Sequence, residues 1–368
     1  LTRDRRAVDV PTFEQWARRW TSGELAKEYP DHVREKRSAD RDAELLRLYI
    51  LPHVRDVLVS EFALADAEAV MAAMPTADPR RPTKLLRPGT RRHVAQVMAR
   101  LMRLAVYPGK WREASPIPPG WLPRGGEPLA KECLYPDEDA LLLGGKSVQE
   151  DHWGNMKQDV PVLRRLAYGF LCREGMRTSE MAALRWRDVD LTRGRVALDE
   201  NKTDDPRDWD LRPDVVEALS RWKRLETETA ADDHVFAENG IPLNVMHLAA
   251  LLQSDLLRVG VTRPQLFERS KVRRPVRAHD LRATFVTVAL ATGKNETWVS
   301  DRTGHHSHEM VDAYRRKART WNMGELGPLH ELVPELREAG PAVRIPHGLP
   351  HAATIVENSQ RAQRKPMP

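Results

Sequence analysis

The feature that most limits how this chain can fold is a run rich in proline and glycine, SPIPPGWLPRGGEP, at residues 115–128. Each proline fixes φ and lacks a backbone donor, so the run excludes a helix or a central strand and is typical of a linker. The chain has 368 residues, 41% of them hydrophobic, which is enough for a separate core on each side of the run. The sequence therefore predicts two domains, joined by a linker at residues 114–133.

The first predicted domain, residues 11–113, has helical periodicity. Thr12 is a candidate N-cap before an apolar stripe at helical spacing, which consists of Phe13, Trp16, Ala17 and Trp20. Three more helices are expected: one from a cap at Ser38 to Ile50 with a stop at Pro52, one beginning near Ala65, and one beginning at a cap at Thr90. This part of the chain is therefore expected to be a helical domain.

The helix expected after Thr90 has arginines on the side opposite its apolar face, namely Arg91, Arg92, Arg100 and Arg103. One interpretation is the solvated half of an amphipathic helix. The other is a surface that contacts the phosphates of DNA. The arginines by themselves leave both interpretations open.

The second predicted domain spans residues 134–338 and mixes helices with short strands. A central apolar helix is expected at residues 161–172, a helix capped by Thr178 or Ser179 runs to about Leu184, and further helices are expected at 213–226 and 242–259. Residues 195–198 and 208–211 bracket a polar turn, as a β-hairpin requires. The predicted fold class is therefore mainly α with a small antiparallel β-sheet, followed by a disordered tail at residues 339–368.

The composition narrows the function. Lys and Arg number 59 against 53 Asp and Glu, a formal charge of +6 with a pI near 9.4, so a polyanionic partner is expected if the basic residues share a face. The only cysteines, Cys133 and Cys172, provide no disulfide framework and fit a reducing cytoplasm. Neither a membrane-length apolar run nor a signal peptide is visible.

The stretch from 277 to 316 brings together residues that suit an anionic ligand. A helix is expected from about 280 to 292, so that His279 and Arg282 share a face at its N-terminal end, where backbone N–H groups favour an anion. Tyr314 lies at helical spacing from apolar residues of a second helix, a pattern that also fits an ordinary core tyrosine. His305, His306 and His308 suggest a zinc site, but no cysteine lies near them in sequence, so no metal is expected.

Three motifs in this stretch, HDLRATF, TGHHS and DAYRR, resemble the C-terminal signature of the tyrosine recombinases, the phage integrases and their relatives. In that family H-x-x-R, G-H and a tyrosine follow in this order. The intervals here, 305 − 279 = 26 and 314 − 305 = 9, are similar to those of the family. The resemblance implies a helical core-binding domain followed by an α+β catalytic domain.

The resemblance also implies roles for individual residues. The stretch G-M-R-T-S-E-M matches the family's first catalytic arginine at Arg177, and the K-T pair that opens the expected hairpin matches its catalytic lysine at Lys202, although the turn that follows is longer and more acidic than expected. His279, Arg282 and His305 would complete the phosphate-binding set, with Tyr314 as the nucleophile. The basic residues before His279 would position phosphates: Lys271, Arg273, Arg274 and Arg277.

The function implied is site-specific DNA recombination through a 3′-phosphotyrosyl intermediate, without a metal or other cofactor. The partners implied are double-stranded DNA and three further copies of the chain, with a C-terminal helix around residues 326–336 docking on a neighbour. The irregular linker and long tail favour an integrase of a mobile element over a chromosome-dimer resolvase. The alternatives are a DNA-binding relative without catalysis and an enzyme similar to type IB topoisomerases. The target sequence, accessory factors and an arm-binding domain before Leu1 are left open.

Overall fold

A computed structural model shows a chain divided into two compact units, residues 1–128 and 129–368. The division lies inside the predicted linker, and the individual domain bounds stay predictions. The structure describes residues 10–35, 38–79, 81–126, 129–150, 152, 154–199, 206–226, 229–270, 272–304 and 308–332. The predicted tail at 339–368 lies outside the described residues.

The first unit is a helical bundle with one short hairpin. Its elements are α1 (Phe13–Thr21), α2 (Glu24–Glu28), α3 (Ala39–Leu45), a π-helical turn (Leu46–Ile50), α4 (Leu51–Val54), α5 (Leu64–Ala73), β1 (Ala77–Asp78), β2 (Arg81–Leu85) and α6 (Pro88–Val106). The predicted cap of α1 is confirmed, since the Thr12 hydroxyl accepts the Gln15 N–H and the Gln15 side chain accepts the Thr12 N–H. The core contains Phe13 and Trp16 together with Met98 and Leu101 of α6.

Two predicted helix boundaries in this unit are wrong. Pro52 does not stop the helical path, because it lies in the first turn of α4, where a residue needs no N–H donor. Thr90 does not cap α6, which begins at Pro88 with Arg87 as its N-cap. In both cases proline initiates a helix.

The proline-rich run folds onto the first unit. Ile117 is buried in its core, and Trp121 packs against that core. Arg92 Nη1 donates to the Pro123 carbonyl at 2.6 Å. The early part of the predicted linker is thus an ordered covering of the helical unit, even though it lacks regular secondary structure.

The second unit surrounds its longest buried helix. Its elements are α7 (Pro136–Gly144), α8 (Val162–Glu174), α9 (Thr178–Ala183), a 3₁₀ turn (Trp186–Asp188), β3 (Val189–Asp190), β4 (Arg195–Leu198), β5 (Arg207–Asp210), α10 (Pro213–Leu225), β6 (Ala237–Glu238), β7 (Ile241–Pro242), α11 (Leu248–Arg258), α12 (Pro264–Phe267), α13 (Ala278–Ala291), α14 (Glu296–Thr303) and α15 (His308–Met323). Almost all of α8 is buried, as predicted for a central helix.

A three-stranded antiparallel sheet in the order β3-β4-β5 packs into this unit. The predicted pair of strands is confirmed, with Val196 opposite Trp209, and the two-residue strand β3 was not predicted. The helix predicted from residue 242 starts only at Leu248, because Ile241 and Pro242 pair with Ala237 and Glu238 as a hairpin. Arg177, rather than Thr178 or Ser179, is the N-cap of α9.

The predicted fold class, mainly α with a small antiparallel sheet, is confirmed. The longest α-helix described, α6, has 19 residues and carries five arginines or histidines among them. Across the part of the chain that the structure describes, no helix combines the length and the apolar character needed to cross a bilayer.

The segment after α15 packs on its own unit. Leu329 and Leu332 are buried in the core of the second unit. Leu332 lies against Gly169 of α8, where a Cβ would be 2.3 Å from Leu332 Cδ1, so a larger residue there would force the leucine side chain to move. The described part of the predicted C-terminal helix is therefore already covered within the chain, and residues 333–336 lie outside the described residues.

Candidate active site

The residues singled out in the sequence meet where α13 packs against α15 and α8. Arg277 is the N-cap of α13, and Asp280 accepts its N–H at 2.9 Å, so His279 and Arg282 lie in the first turns of the helix. Tyr314 of α15 is 8% exposed and packs with apolar residues of α13, including Phe285. Helix packing thus fixes the ring of Tyr314 beside the start of α13.

Three consecutive carbonyl groups at the end of α14 each accept a hydrogen bond from a different arginine. Arg207 Nη1 donates to the Arg302 carbonyl at 2.7 Å, Arg282 Nη2 to that of Thr303, and Arg177 Nη2 to that of Gly304 at 3.1 Å. Carbonyl groups at a helix C-terminus carry partial negative charge, so they attract cations. The end of α14 therefore gathers arginines from β5, α13 and the start of α9.

Gly175 completes the position of Arg282. Its carbonyl accepts Arg282 Nη1 at 2.7 Å. Gly175 ends α8 with φ +65°, and a Cβ there would collide with the Phe285 ring, so the conformation and the close approach both require glycine. Arg282 is only 3% exposed, and both ends of its guanidinium group are held by backbone.

Glu180 couples two of the arginines. It accepts the Arg177 N–H at 2.9 Å, pairs with the Arg177 guanidinium, and lies 2.9 Å from Arg207 Nη2. Burial alone would raise the pKa of Glu180, but the Arg177 hydrogen bonds and the Arg207 charge outweigh it and hold that pKa below its usual value. One carboxylate among three guanidinium groups leaves net positive charge for an anionic ligand.

The electrostatics of the site leave Arg282 charged and His279 neutral near pH 7. Burial first, and then the neighbouring Arg177, lower the pKa of Arg282 to about 9. His279 is partly exposed, yet desolvation of its ring by the surrounding protein lowers its pKa to about 4. The positive charges of Arg282 and Lys131 act in the same direction. A neutral imidazole beside a phosphate both donates and accepts hydrogen bonds.

A residue that the sequence did not indicate reaches the phenol. Lys131 Nζ donates to Tyr314 Oη at 3.2 Å and lies 5.6 Å from the centre of its ring. Lys131 belongs to the stretch predicted as linker and has no signature of its own, so the contact follows from tertiary structure alone.

Three of the predicted site residues lie outside the described residues, namely Lys202, Lys271 and His305. The same holds for His306. Within the described residues, no three side chains of His, Cys, Asp or Glu come together to hold a metal ion. Arg177, His279, Arg282 and Tyr314 are the predicted catalytic residues that the structure places at one site.

The predicted DNA-binding arginines fall into two groups. Arg91, Arg92 and Arg274 bind within the protein, since Arg91 donates to the Met71 carbonyl, Arg92 to that of Pro123, and Arg274 to both carboxylate oxygens of Asp280 at 2.6 and 2.7 Å. Arg273 lies 3.2 Å from Glu132. The exposed members are Arg100, Arg103 and Arg277.

Comparison with known proteins identifies the second unit. Residues 154–320 match the phage integrase family. Residues 154–320 thus form a region that is similar to the phage integrases. The family resemblance predicted from the motifs is thereby confirmed, and the matched residues include Arg177, His279, Arg282 and Tyr314. No curated protein sequence matched the chain.

Solved structures of integrases share the fold of this chain at low sequence identity. A lambda integrase dimer bound to a COC′ core site has 15% identity and a TM-score of 0.57, covering 83% of this chain and 77% of that one. The Tn1549 transposon integrase in complex with a circular intermediate DNA has 16% identity and a TM-score of 0.58, covering 86% and 99%. A lambda integrase tetramer bound to a Holliday junction has 14% identity and a TM-score of 0.58, covering 84% and 79%. The predicted two-domain tyrosine recombinase architecture agrees with these folds.

Glu174 lies buried in the second unit, close to the arginines of the site. Its carboxylate accepts hydrogen bonds from Trp209 Nε1 at 2.8 Å, the Arg212 N–H at 2.9 Å and Arg302 Nη1 at 3.1 Å. Burial raises the pKa of Glu174 to about 7, although these donors and the charge of Arg302 act in the opposite direction. Glu174 thus ties β5 and the start of α10 to α14.

This pKa predicts a pH-dependent contribution to stability. The pKa of Glu174 is 4.5 in the unfolded chain and about 7 in the folded protein. Between these two pH values the folded protein binds more protons at Glu174 than the unfolded chain does. The contribution is therefore present below about pH 4.5 and is lost as the pH rises through about 7, amounting to roughly 3 kcal/mol at most. Glutamine does not titrate, so we expect Glu174→Gln to lack this pH dependence. As the pH rises from 5 to 8, the wild type loses stability at this residue and the variant does not, so the free energy of unfolding of the variant rises relative to that of wild type.

Urea unfolding of both proteins across this pH range measures the difference. His279 titrates in the opposite sense, because its lowered pKa makes stability fall as the pH drops from 6.5 towards 4. That effect cancels when the variant is compared with wild type at each pH. Parallel pH profiles for the two proteins would show that Glu174 does not titrate in this range.

Proposed function

We propose that this protein is a site-specific DNA recombinase that cleaves and rejoins strands through a 3′-phosphotyrosyl intermediate. One observation carries the proposal. The guanidinium groups of Arg177 and Arg282 bind the adjacent backbone carbonyls of Gly304 and Thr303, next to the phenol of Tyr314. These two arginines lie far apart in sequence, and the fold brings them together. A cationic site next to a tyrosine hydroxyl suits attack on a phosphodiester.

In the proposed reaction the Tyr314 oxygen attacks the phosphorus. A P–O bond forms to the tyrosine, the P–O5′ bond breaks, and the 5′ oxygen leaves with a proton. The phosphodiester is exchanged for another, so its energy is kept for rejoining when a 5′ hydroxyl attacks the phosphotyrosine. The reaction needs no hydrolysis and consumes no nucleotide.

The arginines supply the charge stabilisation that this reaction requires. A guanidinium group offers paired donors in a fixed fork that fits two phosphate oxygens, and removing one such donor typically slows a reaction by about 10² to 10³-fold. His279 is neutral near pH 7 and is assigned a hydrogen bond to the tyrosine or phosphate. His305 as a further phosphate ligand and Lys202 as the acid for the 5′ oxygen stay predictions.

The proposed partner is double-stranded DNA, contacted through exposed arginines. Family membership and the solved relatives bound to DNA, as a lambda dimer and a lambda tetramer, support DNA binding and assembly as a tetramer on paired sites. Arg100, Arg103 and Arg277 are proposed to contact phosphates, since they are the exposed members of the predicted DNA-binding set within the described residues. Docking of a helix around residues 326–336 on a neighbouring copy stays a prediction, and Leu329 and Leu332 within that stretch are buried in their own unit.

A covalent adduct tests the proposal. Duplexes selected from a random library by binding to the protein are nicked and incubated with it, and detergent then traps any covalent product. Nuclease digestion and mass spectrometry of the peptides are expected to find a nucleotide on Tyr314.

Other outcomes distinguish the alternatives. Shifted DNA on a native gel without any adduct indicates a DNA-binding relative that lacks catalysis. Relaxation of supercoiled plasmid by a monomer, without sequence preference, indicates an enzyme similar to type IB topoisomerases. A nucleotide on a residue other than Tyr314 excludes the proposed nucleophile.

A further inference from the structure

Lys131 is held in place on both sides. The Ala130 N–H donates to the Val272 carbonyl at 2.8 Å, and the Leu134 N–H donates to Thr284 Oγ1 of α13 at 3.0 Å. These bonds hold residues 130–134 against α13 and against Val272, which precedes α13 in the chain. Lys131 therefore meets Tyr314 from an anchored backbone.

Glu132, the next residue, fastens the same segment to the tyrosine helix. Its carboxylate accepts Lys317 Nζ at 2.9 Å, and Lys317 lies one turn after Tyr314 on α15. Arg273 Nε lies 3.2 Å from the same carboxylate. Glu132 is mostly buried, so its charge is matched by these cations and does not offset the ammonium group of Lys131.

We infer that Lys131 is a further catalytic residue, which stabilises the phenolate of Tyr314 through its ammonium group. The inference rests on the proposed function and deepens it. The phenolic proton is released to water before attack, and Lys131 keeps its own protons throughout. When the tyrosine oxygen bonds to phosphorus, its negative charge passes to the phosphate, and the 5′ oxygen takes a proton from the acid predicted at Lys202. In rejoining, the phenolate is the leaving group, so the same ammonium group assists the reverse step.

Its contacts distinguish Lys131 from the lysine predicted in the hairpin. Lys131 touches the oxygen of the nucleophile itself. A general acid for cleavage must instead reach the 5′ oxygen, which departs on the side of the phosphorus opposite the attacking atom. The geometry thus places Lys131 at the tyrosine oxygen, while Lys202 as the acid for the 5′ oxygen stays a prediction.

The experiment compares Lys131→Met, Lys131→Arg and wild type by the rate of adduct formation, with full-length protein saturating a nicked duplex. Methionine keeps the unbranched side chain up to the position of Cε and removes the charged ammonium group, so we expect the rate at pH 7 to fall about 10²-fold. Arginine keeps a charged donor and is expected to stay within about tenfold of wild type. The deficit of Lys131→Met is expected to shrink as the pH rises, because hydroxide then generates the phenolate.

Lys223 provides the matched control. It is also half-buried and lies over an aromatic ring, with Nζ 4.8 Å from the centre of Trp186, away from the tyrosine. Lys223→Met is expected to cleave within about twofold of wild type. This variant controls for the loss of one positive charge from the same unit.

A substrate with sulfur in place of the 5′ oxygen separates the two lysine roles. A thiolate leaves without a proton, so this substrate rescues the loss of a general acid. Lys131→Met is expected to remain slow on it, and rescue would overturn the inference. If wild type forms the adduct and Lys131→Met matches it at pH 7, the inference alone is wrong. If wild type forms no adduct, the proposed function fails and the inference fails with it.

Discussion

Tyr314→Phe is expected to form no covalent adduct with DNA, with cleavage at least roughly 10³-fold below wild type. The change removes only the hydroxyl group, which receives the hydrogen bond of Lys131. The ring stays packed with Phe285 and Val286, so the fold and the affinity for DNA are expected to be retained. A denaturing gel with labelled nicked duplex measures cleavage, and a native gel measures binding.

Tyr168→Phe is the matched control, because it removes a buried hydroxyl group from the same unit at a distance from the site. Its phenol donates to Asp255 Oδ2 at 3.0 Å inside the core, where Arg164 also contacts that carboxylate. We expect this variant to cleave at the wild-type rate and to lose about 1 kcal/mol of stability. An adduct that persists in Tyr314→Phe would exclude Tyr314 as the nucleophile.

Local sequence signals predicted the elements that carry the site. Apolar periodicity located α8 and α13, and the Thr12 cap located the start of α1, because each depends on residues within one or two turns. The spacing of the histidine, arginine and tyrosine motifs predicted a shared site, and the fold places His279, Arg282 and Tyr314 at the packed start of α13. These features are encoded over short distances.

The contacts that complete the site depend on chain segments far apart in sequence. Lys131 reaches Tyr314 across 183 positions, and Arg177 reaches the Gly304 carbonyl across 127. Arg207 in β5 has no motif of its own, yet it binds the Arg302 carbonyl and Glu180. Backbone carbonyls bind these arginines. Because every residue has a backbone carbonyl, the amino-acid sequence does not show which of them will act as acceptors.

The helix ends that were predicted wrongly were likewise not determined by the local sequence alone. Proline and threonine each suit more than one position near a helix start, so Pro52 and Pro88 begin helices where a stop and a later cap were expected. Propensity limits the alternatives, and packing of the apolar face then selects among them. The late start of α11 shows this, since Ile241 and Pro242 are taken into a hairpin.

Arg173→Met is expected to have the largest effect on stability, a loss of about 3 to 5 kcal/mol. Arg173 is 1% exposed in α8, its Nη2 donates to Asp139 Oδ2 at 2.8 Å, and its Nε lies 3.4 Å from Asp214. Burial alone would lower the pKa of Arg173, but Asp139 and then Asp214 outweigh it and raise that pKa. Removing the guanidinium group would leave two buried carboxylates without its charge.

The loss is also expected to free the segment that follows the tyrosine helix. Arg173 Nη2 donates to the His330 carbonyl at 2.5 Å, and Asp214 accepts the Leu332 N–H at 2.9 Å. A midpoint lower by roughly 10 °C is expected in thermal unfolding of the second unit. Arg193→Met, at a surface pair with Asp190 whose arginine side chain is 82% exposed, is expected to change stability by less than about 0.5 kcal/mol.

A double substitution separates the value of the ion pair from the cost of leaving a charge alone. If buried unpaired charge causes the loss, Arg173→Met combined with Asp139→Leu recovers part of the stability that Arg173→Met loses, because the second change removes one orphaned carboxylate. If packing of the arginine stem causes it, the double variant is less stable than either single variant. The first result would mean that the role of Arg173 is to neutralise buried acids, one of which holds Leu332. Arg173 itself binds the His330 carbonyl, so the same network connects residues 330–332 to α8, the helix that precedes Arg177.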